Sequence, residues 1–524
     1  MDKYLTTRGL TSIVAIAALA LAAPVAQAEV DVDYEGAITI NAGDSQLAPY
    51  YIMAGRGGTV TQRNSALLSA NLAHELDTTR RFSWGAGVEL WSGYSASADY
   101  KRWLPEQQQF AMHGEHPARL WTQQLYASVK WRSVLTHVGA KRPDSPIVDA
   151  SLSSGDLGRS DNSRPGMGIE TGFVNYQNVP FTQGWVQVEG RIGYYRLTGT
   201  DHWLEHHFSY YNSFVTTDTW FNYKRIHLRT NPSKPVVFTL GMQAACQFGG
   251  TQKIYKQGQL FSTSKSDADA KAFFRALVPG SGGGNDGGQY VEGNHVGTWD
   301  VLLEWKQSPD HLLRAYYESP WEDGSGVGKL NGFDGLWGLE YRNTGKPALL
   351  DGVVLEYIDL TNQSGYIHWS KDDFPDSPIT QANGGEGTTG SDDYYNNYFY
   401  NGYQHLGQSI GSPFVKSLIY NRDGYMRYTC NLLRGFHLGL RGTLSSEVGY
   451  RAMVSYRRGW GTPYDPIAHG QSCTSVLAEA VVRPHWLPGL KLTAQFAIDR
   501  GKLIGDNLGG LISIAYQGNF SLAK

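Results

Sequence analysis

The stretch GNHVGTWDVLLEWKQSPD, residues 293–310, decides how the fold of this protein is interpreted. From Trp299 onward, large apolar residues alternate with charged ones, and Leu302 alone interrupts the polar set. This period of two places the two sets on opposite faces of a β-strand. In a soluble β-sandwich the apolar face is the core, whereas in a membrane barrel it meets lipid and the charged face lines the lumen. Most of the functional interpretation depends on which arrangement applies.

The N-terminus predicts export. Basic residues precede the apolar run TSIVAIAALALAA at 11–23, and AQA at 26–28 offers a small-x-small cleavage pattern. These features are typical of a secretory signal peptide. We therefore predict a signal peptide over residues 1–28, cleaved after Ala28, and one mature domain over residues 29–524.

Composition narrows the class of the mature chain. Aromatic residues make up 13% of the sequence and charged residues 18%, and the formal net charge of −3 does not indicate a nucleic-acid partner. After the signal peptide, no apolar run approaches the roughly 18 residues that a membrane-spanning helix needs. The mature chain is then either soluble or a β-barrel. Helical periodicity is scarce, and one helix is predicted within Ser266 to Val278, after which Pro279 follows.

The three cysteines, Cys246, Cys430 and Cys473, lie far apart in the sequence. An odd and sparse set in a large exported chain does not indicate a disulfide framework. One bridge and buried free thiols fit the sequence equally well, and we assign these residues no functional role.

Alternation with a period of two recurs from end to end of the chain. The segments that show it are WGAGVELW (84–91), LYASVKWR (125–132), WVQVEGRIGYY (185–195), VVFTLGMQ (236–243), WGLEYR (337–342), VGYRAMVSYR (448–457), LKLTAQFAID (490–499) and ISIAYQGNF (512–520). Aromatic residues such as Trp131, Trp305 and Tyr456 lie near the ends of the apolar stripes, where the aromatic girdles of membrane barrels meet lipid headgroups. The opposite faces carry unlike charges, which a lumen explains and a solvated sheet face would also explain.

The connections between predicted strands are strongly unequal. Long polar stretches cover residues 95–120, 143–175, 244–292 and 361–415, whereas other strands nearly abut. Short turns at one rim and long loops at the other are typical of outer-membrane barrels. Direct inspection counts about 14 to 16 strands, and the chain has room for roughly 14 to 20 tilted strands. The sequence thus predicts an all-β, antiparallel transmembrane barrel with long loops.

Histidines and acids cluster in two of the predicted loops. The residues are His113, Glu115 and His116 in the first loop and Glu205, His206 and His207 in the second. Neither cluster has the fixed spacing of a metal-binding helix. We interpret them as solvated histidines and predict neither a metal site nor a cofactor.

Two loop segments carry candidate binding chemistry. DYYNNYFYNGYQHLG (393–407) combines aromatic rings and planar amides, which suit stacking on a sugar and hydrogen bonding to its hydroxyls, although a loop packed on itself would have the same composition. SPWEDGSGVGKLNGFDG (319–335) carries Glu322, Asp323 and Asp334, which fit a glycosidase pair, a calcium site or salt bridges in a plug. No nucleophile elbow is present, so we do not predict an enzyme.

An ordered set of motifs resembles the capsule assembly Wzi family. The set runs collinearly from about residue 80 to near residue 510. The motifs are LYASVKWR (125–132), LSSGDLGRSDNSRPG (152–166), QGWVQVEGRIGYY (183–195), YKRIHLRTNPSKP (223–235), QFGG (247–250), EGNHVGTWDVLLEWK (292–306), ESPWEDGSGVGKLNGFDGLWGLEY (318–341), DDYYNNYFYNGYQHLGQSIGSP (392–413) and RGWGTPYDP (458–466).

This resemblance implies an outer-membrane lectin that holds capsular polysaccharide at the cell surface. It also implies roughly 18 strands, a lumen obstructed by long loops, and a helical bundle on the periplasmic side. The chain departs from the family in one respect, because it shows no helical stretch long enough for such a bundle.

We therefore expect a monomeric, non-enzymatic barrel in the outer-membrane lipid that binds capsular or extracellular polysaccharide. Aromatic rings would stack on sugars, basic residues would face anionic groups, and acids would take hydroxyls. The candidate glycan-binding residues are Arg191, Arg225, His227, Trp321, Glu322, Asp323, Asp334, Tyr394, Tyr395 and Tyr403. The alternatives are a porin-like channel for glycans or small solutes and an enzyme acting on glycan or lipid.

Overall fold

The computed structural model describes residues 30–278, 293–322, 324–329, 331–364 and 392–522. The predicted signal peptide over residues 1–28 lies outside them. The described residues form one large antiparallel sheet in which strands adjacent in the chain pair with each other. The last strand pairs with the first over Val30–Gly43, so the sheet closes into a barrel. The all-β barrel fold is confirmed.

The strands have the following bounds. They are β1 (Val30–Gly43), β2 (Ser65–His74), β3 (Phe82–Ser95), β4 (Ala98–Leu104), β5 (Gln109–Glu115), β6 (Leu120–Trp131), β7 (Val134–Ala140), β8 (Met167–Phe173), β9 (Gln177–Asn178), β10 (Val186–Arg196), β11 (Ser213–Thr217), β12 (Trp220–Thr230), β13 (Val236–Phe248), β14 (Gly250–Lys256), β15 (Gln259–Ser266), β16 (Asn294–Ser308), β17 (His311–Trp321), β18 (Gly335–Asn343), β19 (Gly352–Asp359), β20 (Gln404–His405), β21 (Gln408–Ser409), β22 (Leu433–Thr443), β23 (Val448–Gly461), β24 (Pro466–Val482), β25 (Leu490–Gly501) and β26 (Asn507–Leu522).

The barrel has eighteen strand positions. Strands β8 and β9 share one of them, because both pair with the same edge of β10. Three small sheets lie outside the barrel wall, formed by β4 with β5, by β11 with β14 and β15, and by β20 with β21. The strand number agrees with the 18 that the family resemblance implies and exceeds the 14 to 16 found by direct inspection.

The alternation has the orientation of a membrane barrel. On β16, Leu303 and Trp305 point outward and are 43% and 48% exposed, whereas Asp300 points inward and is fully buried. On β18, Leu339 is 60% exposed and the neighbouring Glu340 is buried. An apolar face with nothing of the chain against it and a buried charged face match a barrel in lipid rather than a soluble sandwich.

An aromatic belt crosses five neighbouring strands on the outer face. Its members lie directly opposite one another in the strand register and are Tyr317, Trp337, Tyr357, Phe436 and Tyr456. The ring centroids of Tyr317 and Trp337 lie 3.9 Å apart. Such rows of Tyr and Trp are found where a barrel wall meets the lipid headgroups, so this belt marks one membrane interface.

The two rims of the barrel differ in the length of their connections. The rim that holds both barrel termini has tight turns, such as residues 132–133 and 309–310. The other rim carries the connections over residues 44–64, 249–293 and 360–432. Since the short turns of outer-membrane barrels face the periplasm, the long connections face the cell exterior.

The helices are short. They are α1 (Tyr50–Met53), α2 (Thr200–His207), α3 (Ala270–Arg275), α4 (Gly324–Val327) and a 3-10 turn (Leu418–Tyr420). Helix α3 lies inside the predicted helical segment, and its N-cap Asp269 accepts a hydrogen bond from the Ala272 N–H at 2.8 Å. Within the described ranges no helical bundle lies at the periplasmic rim.

None of the helices in the described part of the chain is long and apolar enough to cross a membrane.

The cysteine alternatives resolve in favour of thiols. Cys246, Cys430 and Cys473 are buried and form no disulfide. Cys430 and Cys473 pack in one small apolar cluster with Leu503, so they contribute to packing as thiols.

The orientation of the wall predicts how an added charge is tolerated. Leu339→Arg places a guanidinium on the lipid face between Trp337 and Tyr341, and we expect a loss of roughly 2–4 kcal/mol of barrel stability. Leu444→Arg in the exposed turn 444–447 adds the same charge outside the membrane and should cost roughly 0–1 kcal/mol. Urea titration of the purified barrels in lipid vesicles measures both changes, and equal effects would contradict the assigned orientation.

Candidate functional site: the filled lumen and the outer loop layer

The lumen is filled by a segment that we call the plug, residues 143–164, which connects β7 to β8. It has no regular secondary structure and is rich in Ser, Asp and Gly. Its acids form local turns, because the Asp149 carboxylate accepts the Ser151 N–H at 3.0 Å and Asp156 accepts the Gly158 N–H at 2.9 Å. Short side chains that bond to their own backbone let an irregular segment enter the barrel.

The tip of the plug is held by basic groups on the inner wall. Arg441 donates to the Asp149 carboxylate at 2.9 Å, and Arg451 donates to the Ser151 carbonyl at 2.9 Å. The His437 ring bonds to the Leu152 carbonyl at 2.6 Å. Because Arg441 lies close to the short turn 444–447, the plug reaches almost to the periplasmic rim.

Wall acids hold the middle of the plug. The Glu356 carboxylate accepts a hydrogen bond from the Ser154 N–H at 2.7 Å, and Glu318 accepts one from the Leu157 N–H at 2.8 Å. Both glutamates are fully buried. A buried carboxylate and a buried N–H are each costly alone, so their pairing stabilises wall and plug together.

The upper part of the plug neutralises two wall arginines. The Asp144 carboxylate lies 2.9 Å from Arg225 and 3.2 Å from Arg191. Next to them, the His227 ring bridges Glu189 at 2.9 Å and Asp300 at 2.8 Å. The basic residues of β10 and β12 are thus paired within the protein.

One plug acid has a strongly shifted pKa. Burial, together with the nearby Asp300 carboxylate, raises the pKa of Asp156 from 3.8 to about 6. The carboxylate also accepts a hydrogen bond from the Gln243 side chain at 3.1 Å. Protonation of Asp156 therefore relieves charge repulsion inside the lumen.

Two further loop segments close over the plug. In the connection between β1 and β2, helix α1 is fully buried, and the Tyr50 N–H donates to the Asp499 carboxylate at 2.8 Å. In the connection between β19 and β22, the Tyr395 hydroxyl donates to the Leu157 carbonyl at 2.6 Å and the Tyr403 hydroxyl to the Gly158 carbonyl at 2.8 Å. The tyrosine-rich segment therefore packs on itself and on the plug.

Two polar cavities remain in the lumen. One, of about 410 Å³, is lined by Glu35 and Lys491, which are 2.9 Å apart. The other, of about 280 Å³, is lined by Lys141 and Arg191. Pro143 at the start of the plug lines both cavities, so they flank this segment.

The structure places the predicted glycan-binding residues in two groups. Arg191, Arg225 and His227 form the first group on β10 and β12, where Arg191 lines a cavity and His227 is fully buried. The second group lies beneath the outer loops and comprises Trp321, Glu322, Asp334, Tyr394, Tyr395 and Tyr403, all of them buried. Asp323 lies outside the described residues.

Hydrogen bonds within the protein connect the second group. The Glu322 carboxylate accepts a hydrogen bond from the Tyr395 N–H. Asp334 accepts one from the Gln363 N–H at 2.7 Å and one from the Tyr394 hydroxyl at 3.2 Å. Burial, the largest influence, raises the pKa of Asp334 to about 6 despite these bonds. These acids therefore hold loops together in this conformation.

The outer surface carries an aromatic patch that sequence reasoning missed. Two loop hairpins, β4–β5 and β14–β15, meet where Gly258 lies directly against the Trp103 ring. The residues that we call the outer patch are Lys101, Trp103, Phe110, Tyr211, Lys256 and Phe261. No single segment of sequence contains it, because its members come from three connections.

Rings and cations are paired within the outer patch. The Lys101 ammonium lies 4.6 Å from the centre of the Phe110 ring, and the Lys256 ammonium lies 3.5 Å from that of Phe261. Phe110 is 36% exposed and Phe261 63% exposed. Exposed ring faces next to ammonium groups suit a sugar polymer that carries negative charge.

A closed antiparallel barrel of eighteen strands, apolar outside and charged inside, defines the class of outer-membrane β-barrels. No protein-family model matches the sequence, and none of the curated proteins is similar to it.

Three solved structures share the architecture. Wzi, an outer membrane protein involved in group 1 capsule assembly in Escherichia coli and a carbohydrate-binding β-barrel, is similar with a TM-score of 0.51 and 12% identity, over 98% of this chain and 89% of that chain. OccAB4 of Acinetobacter baumannii is similar with a TM-score of 0.42 and 13% identity, over 95% of this chain and 100% of that chain. OprD of Pseudomonas aeruginosa is similar with a TM-score of 0.42 and 9% identity, over 95% of this chain and 94% of that chain. Such low identities show a shared fold, and membership of the Wzi family stays a prediction.

The raised pKa of Asp156 predicts a dependence of plug stability on pH. The folded state holds this proton up to about pH 6, whereas an exposed aspartate loses it near pH 3.8. Its contribution to stability is therefore present at pH 5 and lost as the pH rises through 6. Hydrogen exchange of the plug amides, corrected for intrinsic rates, should be slower at pH 5 than at pH 7.

Asp156→Asn should remove most of this difference, because the amide does not titrate. Asp310→Asn, in the exposed turn 309–310, is the matched control and should keep the wild-type difference. A plug that exchanges equally at both pH values in the wild type would contradict the role of Asp156.

The anchoring of the plug predicts low conductance. Replacing Asp144 and Asp149 by Ala together removes the carboxylates that pair with Arg225, Arg191 and Arg441. We expect this double variant to show larger and more frequent open currents in planar bilayers than the wild type. Asp310→Ala removes one of the same carboxylates from the periplasmic rim and should leave the current unchanged. If the double variant conducts no more than the wild type, these contacts do not close the lumen.

Proposed function

We propose that this protein is an outer-membrane lectin that binds an anionic capsular or extracellular polysaccharide at the cell surface. The observation that carries the proposal is the outer patch, where exposed aromatic rings and ammonium groups lie together on the extracellular side. The protein would retain the polymer and so support capsule assembly and attachment, without catalysis.

The chemistry of the outer patch fits such a polymer. The rings of Phe110 and Phe261 would stack on the C–H faces of sugars, and Lys101 and Lys256 would face carboxylates. Each contact is weak. A repeating polymer that engages many copies of the barrel would nevertheless be held firmly, because the later contacts form at high effective concentration.

The filled lumen supports surface binding over transport of a polymer. Plug contacts neutralise Arg225 and Arg441 and hold Glu318 and Glu356. A polysaccharide passing through the barrel would have to displace these buried contacts. The carbohydrate-binding character of Wzi, whose fold is similar, is consistent with the proposal.

The residues predicted from the sequence take supporting roles in this proposal. Tyr394, Tyr395 and Tyr403 would shape the loop layer beneath the outer patch. Arg191, at the cavity next to the plug, would meet an anionic sugar residue that enters the lumen. The barrel would act as a monomer in the outer-membrane lipid.

Polysaccharide binding by the purified protein tests the proposal. We expect Phe110→Ala and Phe261→Ala each to weaken binding of acidic capsular polymers by roughly 2- to 10-fold, as expected for one aromatic contact of about 0.5–1.5 kcal/mol. Trp486→Ala removes an exposed ring from the periplasmic turn 483–489 and is the matched control. Biolayer interferometry with acidic and neutral polymers measures the change.

Two outcomes would contradict the proposal. One is a wild-type protein that binds no polymer, and the other is an equal loss for Trp486→Ala. Assay of the same polymers for cleavage separates binding from turnover, since a lectin leaves their length unchanged.

A channel for small solutes is the second candidate function. The two lumenal cavities, lined by charges of both signs, favour it. A sustained open current through the wild-type barrel in the planar bilayer measurement would support this function over the lectin.

A further inference from the structure

The outer loops bring together three metal-binding side chains from distant parts of the sequence. His113 and Glu115 lie on β5, and His206 lies on helix α2. The His113 Nε2 atom is 2.5 Å from the Glu115 Oε1 atom, and the His206 Nδ1 atom is 3.1 Å from the same oxygen. All three donor atoms lie within 4.8 Å of one another. We propose that these three residues bind one divalent transition-metal ion.

The donor set selects the kind of ion. Two imidazole nitrogens with one carboxylate oxygen suit Zn²⁺, whereas Ca²⁺ and Mg²⁺ prefer oxygen ligands. In a tetrahedral zinc site, bonds of roughly 2.0–2.1 Å place donor atoms roughly 3.3 Å apart, so small side-chain rotations complete the geometry. Two histidines and a glutamate also form the ligand set of open zinc sites, which keep a fourth position free.

The site is accessible and has a neighbour for the fourth position. The His113 and His206 side chains are each 43% exposed, and Glu115 is 13% exposed. An ion can therefore enter from the cell exterior. His202 lies one helical turn before His206, with ring centroids 4.2 Å apart, and is the candidate fourth ligand.

The surrounding packing holds the two elements in place before any ion binds. Tyr100 on β4 packs edge to face on His207 of α2, with ring centroids 4.3 Å apart. A bound ion would add a second link between this hairpin and α2. Since the opposite face of the β4–β5 hairpin carries Phe110, the ion would also stiffen the outer patch.

These contacts also describe a plain ion pair between Glu115 and protonated histidines, and metal titration separates the two. Full-length protein without a histidine tag, stripped with EDTA and kept in detergent, is titrated with ZnCl₂ by calorimetry. We expect one ion per chain, with excess Ca²⁺ and Mg²⁺ failing to compete.

Matched variants locate the ion. His113→Ala and His206→Ala should each weaken Zn²⁺ binding by roughly 10- to 100-fold or more, since loss of an outer-shell group alone has about this effect. His116→Ala, an exposed histidine of the same loop, should bind Zn²⁺ as the wild type does. Glu115→Gln keeps the shape and should weaken binding by removing the anionic ligand.

Hydrogen exchange provides a second readout that an ion pair would not move. Added Zn²⁺ should slow exchange in residues 98–115 and 200–207 of the wild type and leave His206→Ala unchanged. The proposal is overturned if the wild type binds no Zn²⁺, or if binding survives unchanged in the variant that lacks both His113 and His206.

Discussion

The structure depends on one constraint, which is that a sheet in lipid must pair every backbone N–H and C=O group within itself. Strand β1 meets this constraint by pairing with β2 on one side and with β26 on the other. Closure leaves no free edge along the wall. It also divides each strand into a lipid face and a lumenal face, so the outer residues must be apolar and the polar ones must point inward.

Closure concentrates charge in the lumen, and the plug resolves the resulting electrostatic problem. Buried charges are costly unless they are paired and hydrogen-bonded. The plug supplies carboxylates to Arg225 and Arg441, and it supplies N–H groups to Glu318 and Glu356. Wall and plug are therefore complementary in charge, and an irregular segment is as well satisfied here as a regular strand would be.

The same organisation separates the lumen from the outer surface in function. Inside, rings and charges contact one another, as Tyr395 contacts the plug. Outside, the hairpin β4–β5 presents Phe110 on one face and His113 on the other, because side chains alternate along a strand. A surface for a sugar polymer and a proposed metal site thus share one short hairpin, with Tyr100 packing it on α2.

The amino-acid sequence by itself determined the barrel, the orientation of its wall and the inequality of its rims. These features follow from local periodicity, since Leu339 and Glu340 point to opposite faces whatever lies elsewhere in the chain. The strand count by inspection was too low because some strands, such as β8 with β9, are short and irregular. Their position is set by pairing with β10 rather than by a pattern of their own.

Only the tertiary structure decided which side chains meet. Asp144 and Arg225 are 81 residues apart, and Glu115 and His206 are 91 residues apart, so no local spacing reveals either contact. The sequence identified Tyr394 and Tyr403 as aromatic but not as buried, because burial depends on how a long loop folds onto the plug. A period of two determines the face of a strand, whereas loop paths are determined by long-range packing and charge pairing that a linear pattern does not contain.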